Sequence, residues 1–237
     1  MKSFEYCVPT RVVFGTDSLD KLPAQLEKCG ASRVLVVYGG QSAKKSGLLD
    51  KVLALLDGAG ISHQELGGVQ PNPHLSLARE GVKKAIAMDA QLILAIGGGS
   101  VIDTAKAIAH GKASPEIDIW EFWLGKKKVE KSTPVGVILT IPASGSETSD
   151  SAVLTDETIL QKRGLNTDFN RPVFAIMNPA LAARVFLFTA WPSHMTVFTK
   201  PGQRLSALAI NADIPDTIVS ATPLSTLKTG ALSDTPI

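Results

Sequence analysis

Hydrophobic positions along this chain fall into two kinds of run. VLVVYGG (34–40), QLILAIGGGS (91–100) and PVGVILTIPAS (134–144) are continuous apolar stretches that end in glycine or hydroxyl residues. An unbroken apolar run of that length is what a strand covered on both faces requires. Between them, Ser18 to Lys28, Leu48 to Gly58 and Leu75 to Met88 predict amphipathic helices. In the last of these, Leu77, Val82, Ala85 and Ile86 approximate one apolar face. Gly30, Gly60 and the pair Gly67-Gly68 supply the stops. Strands alternating with helices predict an α/β fold, a Rossmann-like parallel sheet with flanking helices. Ligands of such sheets sit beyond the carboxyl ends of the strands. Three predicted strand ends carry small or hydroxyl residues: Gly39-Gly40, Gly97 to Ser100, and Ala143 to Ser146.

The pattern changes after Asn178-Pro179. From Ala180 onward serine, threonine and proline recur without a sustained period, and Pro192, Pro201, Pro215, Pro223 and Pro236 would interrupt any long helix. The expected organisation is therefore one α/β domain over residues 1–180 and an atypical tail, not a recognisable domain, over 181–237.

Composition adds exclusions. The 237 residues are 44% hydrophobic and 19% charged, which argues against wholesale disorder, and the net charge is only +2. A field that weak predicts no nucleic-acid partner and no membrane partner. Lys126-Lys127-Lys128 reads as a solvated loop. Two cysteines, Cys7 and Cys29, have no ligand spacing, so a reducing compartment is the default. The start MKSFEYCVPTRVVFG lacks the apolar core of a signal peptide, and the aliphatic run Leu92 to Ile96 is far too short to span a bilayer. The expected location is cytoplasmic.

The candidate chemistry lies in two loops. LAIGGGSVIDTAKAIA reads as a strand, three glycines and a helix starting at Ser100, with Ser100 and Asp103 spaced as a capping box. Gly97, Gly98 and Gly99 let a diphosphate approach backbone N–H groups, and a helix N-terminus contributes about half a positive charge. Lys106, two turns in, is not expected to reach it. Downstream, IPASGSETSDSAVLTDE (141–157) follows a buried strand, so that Thr140, Ser144 and Ser146 can offer hydroxyls to phosphate or ribose oxygens while Gly145 keeps the backbone close. Each loop alone is equally readable as a tight or serine-rich turn without a ligand. Two of them at one edge of a parallel sheet predict a nucleotide site.

GGGSVIDTAK followed about 40 residues later by LTIPASGSE resembles the iron-containing (group III) alcohol dehydrogenase family. PTR and FG within Phe4 to Gly15, VQPNP (69–73) and AIMNP (175–179) agree, and VVYGG with WLGKKK is most similar to its butanol-dehydrogenase-like branch. The resemblance implies a nicotinamide dinucleotide-binding domain of the dehydroquinate synthase-like kind over residues 1–180. It implies that Gly97, Gly98, Gly99 and Ser100 cradle the cofactor diphosphate, that Thr140 and Ser144 contact the cofactor, that Lys162 reaches it, and that Asn72 shapes the same crevice. Gly39 stands where NAD-preferring members often carry an aspartate; with Gly40, Ser42, Lys44 and Lys45 around it, it points to NADP rather than NAD.

The family's metal, divalent iron or zinc, is implied to sit on one aspartate and three histidines of a helical C-terminal domain. That helical metal-binding domain is missing from this pattern. No D-x-x-x-H follows the NP pair, His63, His74 and His110 lie in the cofactor half, and His194, Asp213 and Asp216 have no partner at ligand spacing. Similarity stops near Leu181, as a shifted reading frame, an aberrant splice or a shortened gene would each produce. The expected function is NAD(P)-dependent interconversion of primary alcohols and aldehydes, truncated and impaired, with a small-molecule alcohol or aldehyde as partner and a homodimer as assembly. A non-catalytic NAD(P)-binding fragment is the alternative. A dehydroquinate synthase-like or glycerol-phosphate dehydrogenase enzyme is a third reading, less favoured by PASGSE and PNP.

Overall fold

A computed structural model describes residues 7–182; Phe4, His194, Asp213, Asp216 and the expected tail from Ala183 onward lie outside them. Its main sheet has the order β1-β8-β5-β4-β2-β3 and is parallel throughout. The strands are β1 (Arg11–Phe14), β2 (Arg33–Tyr38), β3 (Ser62–Leu66), β4 (Leu92–Gly97), β5 (Val135–Leu139) and β8 (Phe174–Met177). β6 (Ser151–Asp156) and β7 (Gln161–Asn166) form a separate antiparallel hairpin. The helices are α1 (Leu22–Lys28), α2 (Ser42–Lys45), α3 (Leu48–Gly58), α4 (Leu75–Ala87), α5 (Gly99–Ala113) and α6 (Trp120–Trp123).

The three predicted apolar runs are the central strands β2, β4 and β5, and alternation along them sorts the core into two layers. Val34, Val36 and Tyr38 with Leu92, Leu94 and Ile96 pack with Leu22 and Leu26 of α1 and Val52 and Leu56 of α3. Leu35, Val37, Ile93 and Ala95 pack with Ala85 of α4 and Ile102, Ala105 and Ile108 of α5. The expected parallel sheet with helices on both faces is therefore what forms.

This connectivity makes a crevice. From β2 the chain moves outward to β3, whereas from β4 it moves the opposite way to β5. Loops that diverge from adjacent strands leave a gap at their carboxyl ends, the switch point where open α/β sheets hold ligands.

Two expectations need correction. Ser18 to Lys28 is not one helix: a 3-10 turn at Ser18–Lys21 precedes α1, because Pro23 has no N–H to give to a preceding turn and sits well only in the first turn of a helix. On α4 the buried stripe is Leu75, Ala78, Gly81 and Ala85, while Ile86 is 42% exposed. Small residues are needed there because α4 presses on α5: a Cβ on Gly81 would collide with Ile108. The strands β1, β3, β6, β7 and β8 carried no clear apolar run, being short, at the edge, or in the polar hairpin.

Candidate functional site

The floor of the crevice is the turn from β4 into α5. Gly98 is extended (φ −98°, ψ −165°) and caps the helix, so α5 begins at Gly99. Its first bond runs from the Val101 N–H to the Gly98 carbonyl. The amides of Gly99 and Ser100 precede that bond and are the unsatisfied donors of the helix start. The expected capping box of Ser100 and Asp103 is therefore not made. Ser100 is already inside the first turn, and no side-chain cap is present. Asp103, one turn further, turns to the other loop: its Oδ1 accepts from Ser146 Oγ at 2.6 Å and its Oδ2 from the Val153 N–H at 3.0 Å.

The loop after β5 lies against this floor. The Thr140 N–H donates to the Gly97 carbonyl at 3.0 Å. A Cβ on Gly98 would stand 3.2 Å from the Ile141 Cβ, and one on Gly99 only 2.5 Å from Ser144 Oγ. Gly98 and Ser144 thus belong to one rim of the sheet, and Gly99 is needed for the approach. Ser146 differs from the expectation that it faces ligand. It is buried (4% exposed), and its hydroxyl is held between Asp103 and Lys106. Thr140 sits beside Gly97 at the end of β5, outside the lining of the cleft itself.

The opposite wall comes from the VQPNP segment and the β6–β7 hairpin. The Thr155 N–H donates to the Pro73 carbonyl at 2.9 Å, and Glu157 accepts from the N–H groups of Leu75 and Ser76 in the first turn of α4. Asn72 takes the left-handed conformation (φ 58°), and its Oδ1 accepts from Lys162 Nζ at 2.8 Å. Two residues 90 positions apart, both expected at the cofactor, therefore meet. Asn72, Pro73, Gly99, Ser100, Asp103, Ser144, Val153 and Lys162 line an open cleft of about 280 Å³. Asp103 was missed as a lining residue, although its spacing of four from Gly99 places it on the same helix face.

Gly39 and Gly40 follow β2, and a Cβ on Gly39 would touch Val101 of α5 at an ordinary 3.8 Å. The end of β2 thus meets the start of α5, and position 39 accommodates a Cβ, which would also stand 3.6 Å from the Val69 carbonyl oxygen. Ser42 lies on the exposed single turn α2, where Lys44 Nζ sits 5.3 Å from the centre of the Tyr38 ring.

Burial sets the electrostatics behind the cleft. It raises the Asp103 carboxyl above its ordinary value, opposed by the hydrogen bonds from Ser146 and Val153. It pushes the Lys106 ammonium down to about 8 and the His110 imidazole down to about 4. His110 Nε2 lies 2.8 Å from Asn170 Oδ1, whose own amide nitrogen donates to the Asp150 and Leu165 carbonyls. The His110 proton is accordingly on Nε2, and Nδ1 faces Ser132 Oγ at 3.0 Å. His110 is thus a structural histidine. His63 pairs with Asp57 at the surface, and no group of three His, Cys, Asp or Glu among the described residues could hold a metal ion. The described residues do not fit the family's metal.

The glycine turn, the serine loop and the Asn72–Lys162 wall form one cleft. The family model for iron-containing alcohol dehydrogenase matches residues 9–179. This chain belongs to that family. It is 39% identical over 179 residues to NADH-dependent butanol dehydrogenase A of Clostridium acetobutylicum, covering 76% of this chain and 46% of that one. It is 33% identical to the NADPH-dependent aldehyde reductase YqhD of Escherichia coli over 237 positions, 97% of this chain and 59% of that one. Among solved structures, NADH-dependent butanol dehydrogenase A from Thermotoga maritima superposes with a TM-score of 0.74 at 39% identity, over 77% of this chain and 46% of that one. The chain spans about half the length of the curated relatives it matches. A second model, the NQR2, RnfD, RnfE family, matches residues 174–236, nearly all beyond the described part.

Proposed function

We propose that this chain is the cofactor-binding part of an NAD(P)-dependent oxidoreductase that interconverts primary alcohols and aldehydes of the butanol class. The observation that carries the reading is the contact of Gly99 with Ser144 in a cleft walled by Asn72 and Lys162. The amides of Gly99 and Ser100, with the dipole of α5, suit a diphosphate, and Gly97 and Gly98 let it come close. Ser144 and Thr140 offer hydroxyls, Asp103 accepts from a ribose hydroxyl, and Lys162 supplies a cation at the wall. A nicotinamide held there supplies or receives the hydride.

The cofactor we assign is NADP in preference to NAD. Position 39 accommodates a Cβ yet carries glycine and so no carboxylate that would repel a 2′-phosphate, and Ser42, Lys44 and Lys45 follow it in the chain. Relatives named for either coenzyme leave the choice to this position. Gly39→Asp is expected to shift the ratio of affinities toward NAD by roughly tenfold or more.

By itself the chain is an impaired catalyst in this reading, because the described residues hold no metal-ligand set. With iron or zinc added, reduction of butyraldehyde by NADPH should stay at background while NADP still binds. Metal-stimulated turnover would refute the impairment; failure to bind either coenzyme would refute the reading. The same lack of ligands favours a second reading, a non-catalytic NAD(P)-binding module. In that case butyraldehyde leaves the fluorescence of bound NADPH unchanged. Residues 1–180 are the proposed domain and 181–237 an atypical appendage. The small net charge supports small-molecule partners, and two unpaired cysteines support a cytoplasmic setting. No helix among the described residues is long and apolar enough to cross a membrane. A homodimer is supported by edge strand β1, where Val12 and Phe14 are exposed.

A further inference from the structure

Lys106 is among the largest fully buried side chains, with no accessible surface, yet the cleft described above does not touch it. A buried ammonium is tolerated only when all its donors are used. Here all three are: Lys106 Nζ donates to Ser146 Oγ at 2.9 Å, to the Ser149 carbonyl at 3.2 Å and to the Ser151 carbonyl at 2.7 Å. Each partner lies on the segment that leads from the serine loop into β6. Ser146 passes the tie on in two directions. Its hydroxyl donates to Asp103, and its N–H donates to Ser144 Oγ at 3.3 Å. Asp103 and Ser144 are the two members of this network that line the cleft.

We propose that Lys106 is a positioning residue of the dinucleotide site: its ammonium pins the 144–151 loop to α5 and thereby holds Ser144 and Asp103 where a bound coenzyme meets them. This rests on the reading of the cleft as a dinucleotide site. The charge state of Lys106 matters for a geometric reason. A neutral amine has two N–H groups and one lone pair, whereas three acceptors surround this nitrogen, so deprotonation must release one tie. The charged groups facing it are Asp103 on α5, Glu147 and Asp150 on the loop, and Arg171 from the segment before β8, with neutral His110 four residues along α5. Burial lowers the ammonium to about 8 and outweighs the three carboxylates, which raise it; Arg171 lowers it further. Coenzyme affinity should therefore fall as pH rises through about 8. Global stability moves the other way. The folded state binds fewer protons than the unfolded one between about 8 and the ordinary value of 10.5, so folding gains with pH across that window. Titration of Lys106 by itself therefore does not unfold the chain across that window, and circular dichroism at each pH checks that the fold persists.

The experiment is calorimetric titration of the full chain with NADP between pH 7 and 9.5. Wild type should weaken roughly tenfold across the range, the size expected for one lost charge-assisted hydrogen bond. Lys106→Met should bind roughly tenfold more weakly at pH 7 and show a flat profile. Ser146→Ala keeps both carbonyl partners of Lys106, should retain its fold by circular dichroism, and should weaken binding about threefold with a flattened pH profile, because two acceptors match the two N–H groups of a neutral amine. If Lys106→Met does not fold, the wild-type profile and Ser146→Ala decide. A wild type that binds with a flat profile, or variants that match its affinity and profile, would overturn the role of Lys106 and leave the cofactor site standing. A wild type that binds no coenzyme would overturn both.

Discussion

The floor and the wall of the cleft are built in opposite ways. The floor, from Gly97 into α5, rests on a strand and helix whose core residues have no exposure: Leu94, Ala95, Ile102, Ala105 and Ile108 are all at 0%. The wall is a two-stranded hairpin whose second strand, β7, is largely exposed. An isolated hairpin is marginal in water. This one is held by a few polar ties: Glu157 to the start of α4, Val153 to Asp103, the Ser151 carbonyl to Lys106, and Asn170 between the Leu165 carbonyl and His110. Two apolar anchors, Ala152 and Leu154, join it to the core beside Trp123. On the proposed reading, the floor should set whether a coenzyme binds at all, and the wall how tightly.

Substitutions should separate the two. The largest effect belongs to Gly99→Val, whose Cβ would crowd Ser144 Oγ and Cβ at 2.5 and 3.0 Å. Titration should show NADP affinity reduced by roughly 100-fold, about 2.7 kcal/mol, with the fold retained. Next is Lys162→Ala, expected to weaken binding roughly tenfold. Asn72→Gly keeps the left-handed backbone but removes the bond to Lys162 and should cost less. Because the two residues touch, their double mutant should fall short of the sum, which a double-mutant cycle measures.

Glu157→Gln should leave affinity within about threefold and cost roughly 0.3–1 kcal/mol of stability, the value of a charge at a helix N-terminus. Partial burial raises the Glu157 carboxyl, but hydrogen bonds involving Ser76, together with His74, outweigh it and hold the group below its ordinary value. Its stabilisation is present at neutral pH and lost in acid. The smallest effect on binding comes from His110. Its folded value of about 4 lies below the ordinary 6.5, so the unfolded state binds the extra proton and stability falls as pH drops from 6.5 toward 4. Urea midpoints across that range check it; the added proton goes to Nδ1, beside Ser132 Oγ, while the Nε2–H bond to Asn170 is kept.

The same contrast explains what could be read from the sequence. β2, β4 and β5 are covered on both faces, so their apolar runs are continuous and legible. The glycine turn was legible because its residues are adjacent in the chain. The hairpin was not: QKRGLN has no alternation because β7 packs on one side of a two-stranded ribbon and faces solvent elsewhere. Asn72 and Lys162 came only from the family resemblance, since a contact across 90 residues leaves no local pattern. Asp103 was assigned to a cap because S-x-x-D is also the spacing of two residues on one helix face. Which applies depends on where the helix starts, and the extended Gly98 moved that start by one residue. Ser146 and Lys106 escaped because small polar residues and a lysine usually signal solvent, whereas here they satisfy one another in the core.

The central claim is that the turn at Gly97–Ser100 and the loop at Ser144 hold one dinucleotide between them. Calorimetric titration of NADP into the wild-type chain and the Gly99→Val variant tests it most directly. One saturable site in the wild type, lost in the variant while its melting temperature stays within a few degrees, is the predicted result. Equal binding by both proteins, or no heat from the wild type with either coenzyme, would contradict it.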